Sequence, residues 1–417
     1  MTNRPAPGVA PAAPATGEPG AGTRGGPWWG DLSVSAAVAG FIAVVVSYSG
    51  PMVIILAAAE AGRLSAGQTA SWVWAVSIGS GLTCLGLSLW TRQPVITAWS
   101  TPGAALLVSS LDQFTFGEAV AAYLLSALAI TVVGLTGIFG KLMATIPAPL
   151  VSAMLAGILF SFGVGLFDAV AATPLVPLVV FAAYLAVKRF SARYAVLCAL
   201  VAGVVAVAAT GGFDMAGVRL EIARPEWTAP EFGWAALVGI GIPMFVVTMA
   251  SQNATGLGVL QTSGYTPDDR KLVGVTGLVS VLLAPFGSHA INLAAITAAI
   301  CTGPEAHTDP RKRWPAGVFC GLFYLLIGTF GATLVALFTG LPGELVAAIA
   351  GVALLGALMG GLKGAMDDAA HREAALVTLL VTASGLTLFG IGSAFWGLIL
   401  GILTHVVLTV RRRGAPG

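Results

Sequence analysis

From Leu32 to Ala59 the chain carries no charged side chain, and apolar stretches of this kind recur, separated by short polar breaks, as far as residue 410. A run of about twenty apolar residues is what a helix needs to cross a bilayer core. In lipid only helices and closed barrels satisfy their own backbone. Composition agrees: 57% of residues are hydrophobic, 9% are charged and the mean hydropathy is +0.91, whereas about a quarter of the residues in a soluble domain are charged. The chain therefore reads as an all-α polytopic membrane protein. Its 54 glycines suit helices that must approach closely without a hydrophobic drive between them. A net charge of +2 says little about partners, and no nucleic-acid partner is expected.

Apolar runs are expected near 32–59, 68–90, 95–110, 118–139, 148–166, 174–188 and 193–210. After a loop over about 211–232 they resume near 233–262, 271–284, 288–301, 315–338, 342–362, 374–390 and 394–410. The reading is fourteen transmembrane elements in two halves of seven, 31–210 and 233–410. An odd number per half makes the second half enter the membrane in the opposite sense, so a shared fold is an inverted repeat. Charge supports this. With both termini cytoplasmic, only Arg63, Arg219 and Arg224 of the 20 lysines and arginines fall outside, as the positive-inside rule requires. Arg311-Lys312-Arg313 and Arg411 to Arg413 read as topology signals that also contact anionic lipid. Residues 1–30, rich in Pro, Ala and Gly, read as a disordered cytoplasmic tail and contain no signal-peptide core.

The third and tenth elements are too short to span alone. "PVITAWSTPGAALLVSS" (Pro94 to Ser110) meets Ser100-Thr101-Pro102 before a short helix can begin; "SHAINLAAITAAI" (Ser288 to Ile300) is its counterpart. Each reads as an extended segment leading into a half-helix. Ser100 or Thr101 is expected to cap the first, with Pro102 in its first turn, and Asn292 to cap the second. Irregular backbone at membrane depth survives only inside protein or beside a cavity. Paired interruptions in the two halves of a transporter point to its substrate site, and two facing half-helix N-termini favour an anion.

The first and eighth elements carry polar residues in mid-span: Tyr48, Ser49 and Gly50-Pro51 in one, Ser251, Gln252 and Asn253 in the other. Gln252 and Asn253 suit either a ligand or a clasp to a neighbouring helix. His289 is the one histidine expected deep in the membrane. It reads either as a satisfied structural residue or as a group that binds a carboxylate or carries a coupling proton. Glu60, Asp112, Glu118, Asp168 and Glu344 are expected at outer span ends, solvated. Cys84, Cys198, Cys301 and Cys320 are isolated and read as small buried hydrophobes; no metal site is expected and no cofactor motif is present. Walker, G-x-S-x-G and H-E-x-x-H patterns do not occur, which leaves an ATP-driven pump or a membrane hydrolase without its parts. Ion-coupled transport leads.

At "TMASQNATGLGVLQTSGY", "APFGSHAINLAAITAAICTGPEAH" and "VTASGLTLFGIGSAFWGLI" the chain resembles the benzoate/proton symporter family of the BenE type, over about residues 30 to 410. The resemblance implies a bacterial inner-membrane carrier that imports benzoate or a similar aromatic carboxylate with a proton. It also implies a fold related to the nucleobase and sulfate transporters, with a core domain (about 31–140 and 233–338) moving against a gate domain (about 148–210 and 342–410), and a homodimer joined through the gate. The substrate would lie between elements three and ten, at Tyr48, Trp99, Ser100, Thr101, Gln252, Asn253, Ser288, His289 and Asn292, with His289 the candidate for proton coupling. Where related nucleobase carriers have acidic residues in the eighth and tenth elements, this chain has Gln252 and His289. It also has Thr255 where the family pattern A-S-Q-N-x-P-G expects proline; Gly256 is expected to let the helix bend instead. A related carrier for a nucleobase or inorganic anion, and a passive anion channel, are the alternatives.

Overall fold

The computed structural model describes residues 31–141, 147–192, 194–211 and 218–413. The expected tail, part of the central loop and the side chains of Arg411 to Arg413 lie outside the described residues.

Polar side chains start helices where the apolar runs begin. Ser33 caps α1 (Val34–Ser49), which breaks at Gly50 before α2 (Pro51–Ala61). Ser65 and Gln68 form a reciprocal cap on α3 (Ala66–Thr91). Strand β1 (Thr97–Trp99) then leads into α4 (Thr101–Val108), and Thr115 with Glu118 caps α5 (Phe116–Thr136) in the same reciprocal way. The first half closes with α6 (Ala148–Ala172), α7 (Leu175–Lys188) and α8 (Ala195–Ala209).

The second half opens with α9 (Trp234–Thr262), a continuous helix containing two π-helical stretches, Leu237–Gly241 and Thr248–Asn253. Asp268 caps α10 (Asp269–Leu283); a hydrogen bond from the Lys271 ammonium at 2.9 Å holds its carboxyl below the ordinary aspartate range. Strand β2 (Ile291–Leu293) and the short α11 (Ile296–Thr302) follow. Helices α12 (Trp314–Thr329) and α13 (Gly331–Thr339) meet at a 69° bend. The remaining helices are α14 (Gly343–Met366), α15 (Arg372–Ala383) and α16 (Ser393–Arg413).

Among the described residues, six helices (α1 with α2, α3, α5, α6, α9 and α14) are long and apolar enough to cross a membrane, and the bent α12–α13 pair makes a seventh. Large apolar side chains on their outer faces, such as Leu128, Val132 and Leu135 of α5, stay exposed, as lipid-facing residues do. Between helices the contacts are close. On α3 and α12, a Cβ added to Gly81 would lie 3.0 Å from the Gly321 carbonyl, and one added to Gly321 would lie 2.7 Å from the Gly81 carbonyl.

Three sequence expectations change. Asn292 does not cap α11: β2 runs on through Leu293, so Asn292 sits in mid-strand and Ala295 occupies the N-cap without a side-chain bond. Cys198 is only half-buried, unlike the other three cysteines. Arg313 is a buried stitch rather than a free surface charge, donating to the carbonyls of Thr302 (2.7 Å), His307 (2.7 Å) and Thr308 (3.3 Å).

The loop between the halves is also ordered by contacts. Over residues 218–233 it lies extended across the ends of α3, α5, α10 and α12. Its anchors are Ala223 N–H to Thr329 O (2.9 Å), Glu226 N–H to Ser71 Oγ (2.9 Å), Thr228 N–H to Pro285 O (2.8 Å) and Glu231 N–H to Gly117 O (2.9 Å).

Candidate functional site

Strands β1 and β2 pair antiparallel, with Thr97 opposite Leu293, Ala98 opposite Asn292 and Trp99 opposite Ile291. Two extended segments, each too short to span alone, thus satisfy each other's backbone in the middle of the protein, which is how such segments persist at membrane depth. Side-chain bonds between the strands and the flanking helices complete the bonding. Ser88 Oγ bridges Val95 N and O (both 3.1 Å), and Thr97 Oγ1 donates to Ser80 O (3.0 Å). Across the pair, Ser280 Oγ accepts from Ile291 N–H (2.8 Å).

Ser100 sits where the two segments cross. Its Oγ accepts from Gly103 N–H (3.1 Å), capping α4, and from Thr248 Oγ1 (3.0 Å) of α9. Its carbonyl lies 2.9 Å from His289 Nε2. Trp72 Nε1–H of α3 donates to His289 Nδ1 at 3.0 Å. Gly287, at φ 99°, makes the turn that delivers Ser288 and His289, and a side chain there would meet Trp72.

Asn253 Oδ1 accepts from Leu293 N–H (3.0 Å), tying the π-helical part of α9 to β2. With its amide set to satisfy both partners, Asn292 donates to Leu293 O (3.0 Å) and accepts from Ser100 N–H (2.9 Å). The Tyr48 ring packs edge-on against Trp99 at 5.2 Å, and its hydroxyl bonds Ser77 Oγ. Trp99 Nε1 and Ser288 Oγ are buried without a partner among the described residues.

Seven of the expected residues (Tyr48, Trp99, Ser100, Asn253, Ser288, His289 and Asn292) are therefore buried around one crossing. Thr101 and Gln252 are half-buried at its edge. Around Thr255, the hydroxyl donates to the carbonyls of Ser251 (2.6 Å) and Gln252 (3.0 Å), and the helix continues. Gly256 provides close approach rather than a bend, since a Cβ there would lie 2.5 Å from Leu293 Cβ.

The sequence reading missed Trp72, Thr248, Tyr123 and Tyr324. The Trp72 and Tyr123 rings stand 5.6 and 6.3 Å from the His289 ring, and Tyr324 packs against Tyr48 (5.9 Å) and Trp99 (6.0 Å). Trp72, Tyr123 and Tyr324 lie in unbroken apolar spans, where nothing in the local pattern separates them from ordinary core residues. For Thr248, its place one helical turn before Gln252 is the signal that was available.

A cleft of about 1920 Å³ is lined by α2, α3, the end of α4, residues 220–226 of the loop, α6, α13 and α14. Leu56, Val108, Phe162 and Ala350 line its depth, and Glu60 and Arg224 its charged mouth. None of the nine expected residues lines it.

The benzoate membrane transport protein family, BenE, matches residues 30–407. The chain is 43% identical over 378 residues to the benzoate membrane transport protein of Acinetobacter baylyi, covering 91% of this chain and 96% of that one. It is 42% identical over 373 residues to the inner membrane protein YdcO of Escherichia coli, covering 89% and 95%. SLC26A9 shares the fold with a TM-score of 0.64 at 13% identity, over 92% of this chain and 66% of its own. The transmembrane domain of the cyanobacterial bicarbonate transporter BicA does so with a TM-score of 0.55 at 15% identity, over 92% and 98%. A multi-pass helical chain, two strand-and-short-helix segments paired at its centre and a family match along nearly its whole length converge: the protein belongs to the benzoate membrane transport protein family.

Proposed function

We propose that the chain is a secondary active transporter that imports benzoate, or a similar aromatic carboxylate, together with a proton across a bacterial inner membrane. The observation that carries this reading is the buried crossing of β1–α4 with β2–α11, in a chain 43% identical to a benzoate membrane transport protein. The carboxyl group accepts N–H donors from the starts of α4 and α11, Gln252 and Asn253 add polar contacts, and Tyr48 and Trp99 pack against the ring. Ser288, His289 and Asn292 shape the floor. Co-moving a proton offsets the roughly 2.3 kcal/mol per charge per 100 mV that opposes entry of an anion.

The architecture is proposed as fourteen elements in a seven-plus-seven inverted repeat with both termini cytoplasmic. Its support is the pattern of helix contacts. Exchanging the halves turns the α3–α12 pair into the α5–α10 pair and α7–α8 into α15–α16, and maps α6–α14 and β1–β2 onto themselves. A core of about 31–140 and 233–338 then moves against a gate of about 148–210 and 342–410, and two copies associate through the gate. A cleft lined by α2, α3, α4 and α13 of that core and by α6 and α14 of that gate supports this division, as does the 218–233 loop, whose backbone contacts are with core elements.

Uptake of labelled benzoate into proteoliposomes tests this reading. Accumulation is expected under an inward proton gradient, saturating with substrate and collapsing with a protonophore. Accumulation that ignores the protonophore, or displacement by uracil or sulfate but not by aromatic carboxylates, overturns it.

A further inference from the structure

We propose that the coupling proton crosses on the substrate's own carboxyl group, with Gln252 as its hydrogen-bond partner, and that Trp72 is a positioning residue that keeps His289 neutral. This rests on the aromatic-carboxylate reading above. The first ground is the bonding of His289, whose two ring nitrogens face partners of fixed sense. An indole N–H only donates, so His289 Nδ1, 3.0 Å from Trp72 Nε1, is the acceptor and carries no hydrogen. A carbonyl only accepts, so Nε2, 2.9 Å from Ser100 O, carries the ring's hydrogen. A second proton would have to enter at Nδ1, where it would set one N–H against another. In this arrangement the imidazole clasps two segments and has no nitrogen open to a coupling proton.

The surroundings offer no substitute. Trp72 and Tyr123 face the His289 ring from α3 and α5, and Ser100 and Gly103 face it from the β1–α4 junction. Tyr123 is the one titratable group among them, and a phenol holds its proton until about pH 10. Among the described residues no aspartate or glutamate is buried, and Arg313, the other buried charged residue, is bound to three carbonyls. A carrier that moves a proton without a buried carboxylate, and with its histidine occupied on both sides, leaves the cargo as the proton's place.

Gln252 has the chemistry to recognise that form. It is half-buried on the π-helical stretch of α9 that touches both β2 and α6, and its side-chain amide has no hydrogen-bond partner among the described residues. A primary amide pairs with a carboxylic acid through two bonds, acid O–H to Oε1 and Nε2–H to the acid carbonyl. A carboxylate would use only the second and would face the lone pairs of Oε1. The step is R–COO⁻ + H⁺ → R–COOH on the outer side. The O–H bond forms there and breaks after release inside, so one anion and one proton cross with no net charge.

Binding of a series of ring-substituted benzoates of graded acidity, measured by calorimetry on the full-length protein from mildly acidic to mildly basic pH, tests the proposal. This range lies above every compound's own pKa, so the apparent Kd is expected to rise about tenfold per pH unit throughout it and, at any one pH, to be weaker for the more acidic compounds in proportion to their acidity. In His289→Gln, which keeps a donor for the Ser100 carbonyl, affinity falls but the slope and its offset by each compound's acidity remain. Trp72→Phe, with His289 Nδ1 released, acquires a second pH dependence that is the same for every compound. In ¹⁵N-histidine spectra, the signal lost in His289→Gln keeps the Nε2–H pattern across this range. One midpoint shared by all compounds in the unaltered protein, and lost in His289→Gln, overturns the proposal and returns the proton to His289. Absence of binding by any benzoate at any pH overturns the substrate reading instead.

Discussion

The two interrupted segments, β1–α4 and β2–α11, occupy matching places in their halves, yet they are finished differently. The first is self-contained. Ser100 caps the helix it precedes, Pro102 contributes no N–H, and the Gly103 amide is already taken, so Thr101 supplies the free donors at the start of α4. The second is held from outside. Ser280 and Asn253 bond its strand, Trp72 and the Ser100 carbonyl hold His289, and α11 begins at Ala295 with no side-chain cap. One topological device therefore yields a helix start capped by its own side chain and another with no side-chain cap.

Breaking the external support of the second segment should have the largest effect. His289→Ala leaves the Trp72 N–H buried without a partner, at about 1–3 kcal/mol, and takes from the Ser100 carbonyl one of its two donors, the other being Ala104 N–H. Benzoate uptake is expected to fall by more than about tenfold while size-exclusion profiles show an inserted, monodisperse protein; full uptake would make the clasp dispensable. Asn253→Ala strips the partner from one buried N–H, that of Leu293. A loss of about 1–3 kcal/mol, read as a lower Tm with a severalfold loss of uptake, is expected.

The caps test the contrast directly. Ser100→Ala removes the only side-chain cap of α4 and should cost about 1 kcal/mol in thermal unfolding. The converse change, Ala295→Ser, gives α11 a cap that competes with the ligand for the same amides. It should raise stability by up to about 1 kcal/mol while weakening benzoate binding about fivefold. If Ala295→Ser leaves affinity untouched, the open start does not serve the substrate. The smallest effect is expected for Thr255→Ala. Thr255 is exposed and its hydroxyl only turns back to Ser251 O of its own helix, so losing that hydroxyl should change uptake by less than about twofold.

Much of this arrangement is legible in the sequence because interrupted segments need residues that ordinary spans avoid. Ser100-Thr101-Pro102 and Gly287-Ser288-His289 interrupt apolar runs, and both interruptions fall at matching positions in the two halves. Strand register is what escapes such a reading. Asn292 is a good capping residue by type, but pairing continues to Leu293, which carries the helix start beyond its reach. Residues supplied from intact spans escape as well. Trp72 matters because Gly287 brings His289 against it across more than two hundred positions of chain, a meeting that no local pattern encodes.

The central claim is that an aromatic acid binds at the crossing of the two strand-and-short-helix segments. It is tested most directly by determining the structure with 4-iodobenzoate and locating the iodine by its anomalous signal. The account predicts one iodine beside Tyr48 and Trp99, with the carboxyl group turned toward Gln252 and the start of α11. An iodine seated only at the mouth of the cleft near Glu60 and Arg224, with nothing at the crossing, would contradict it.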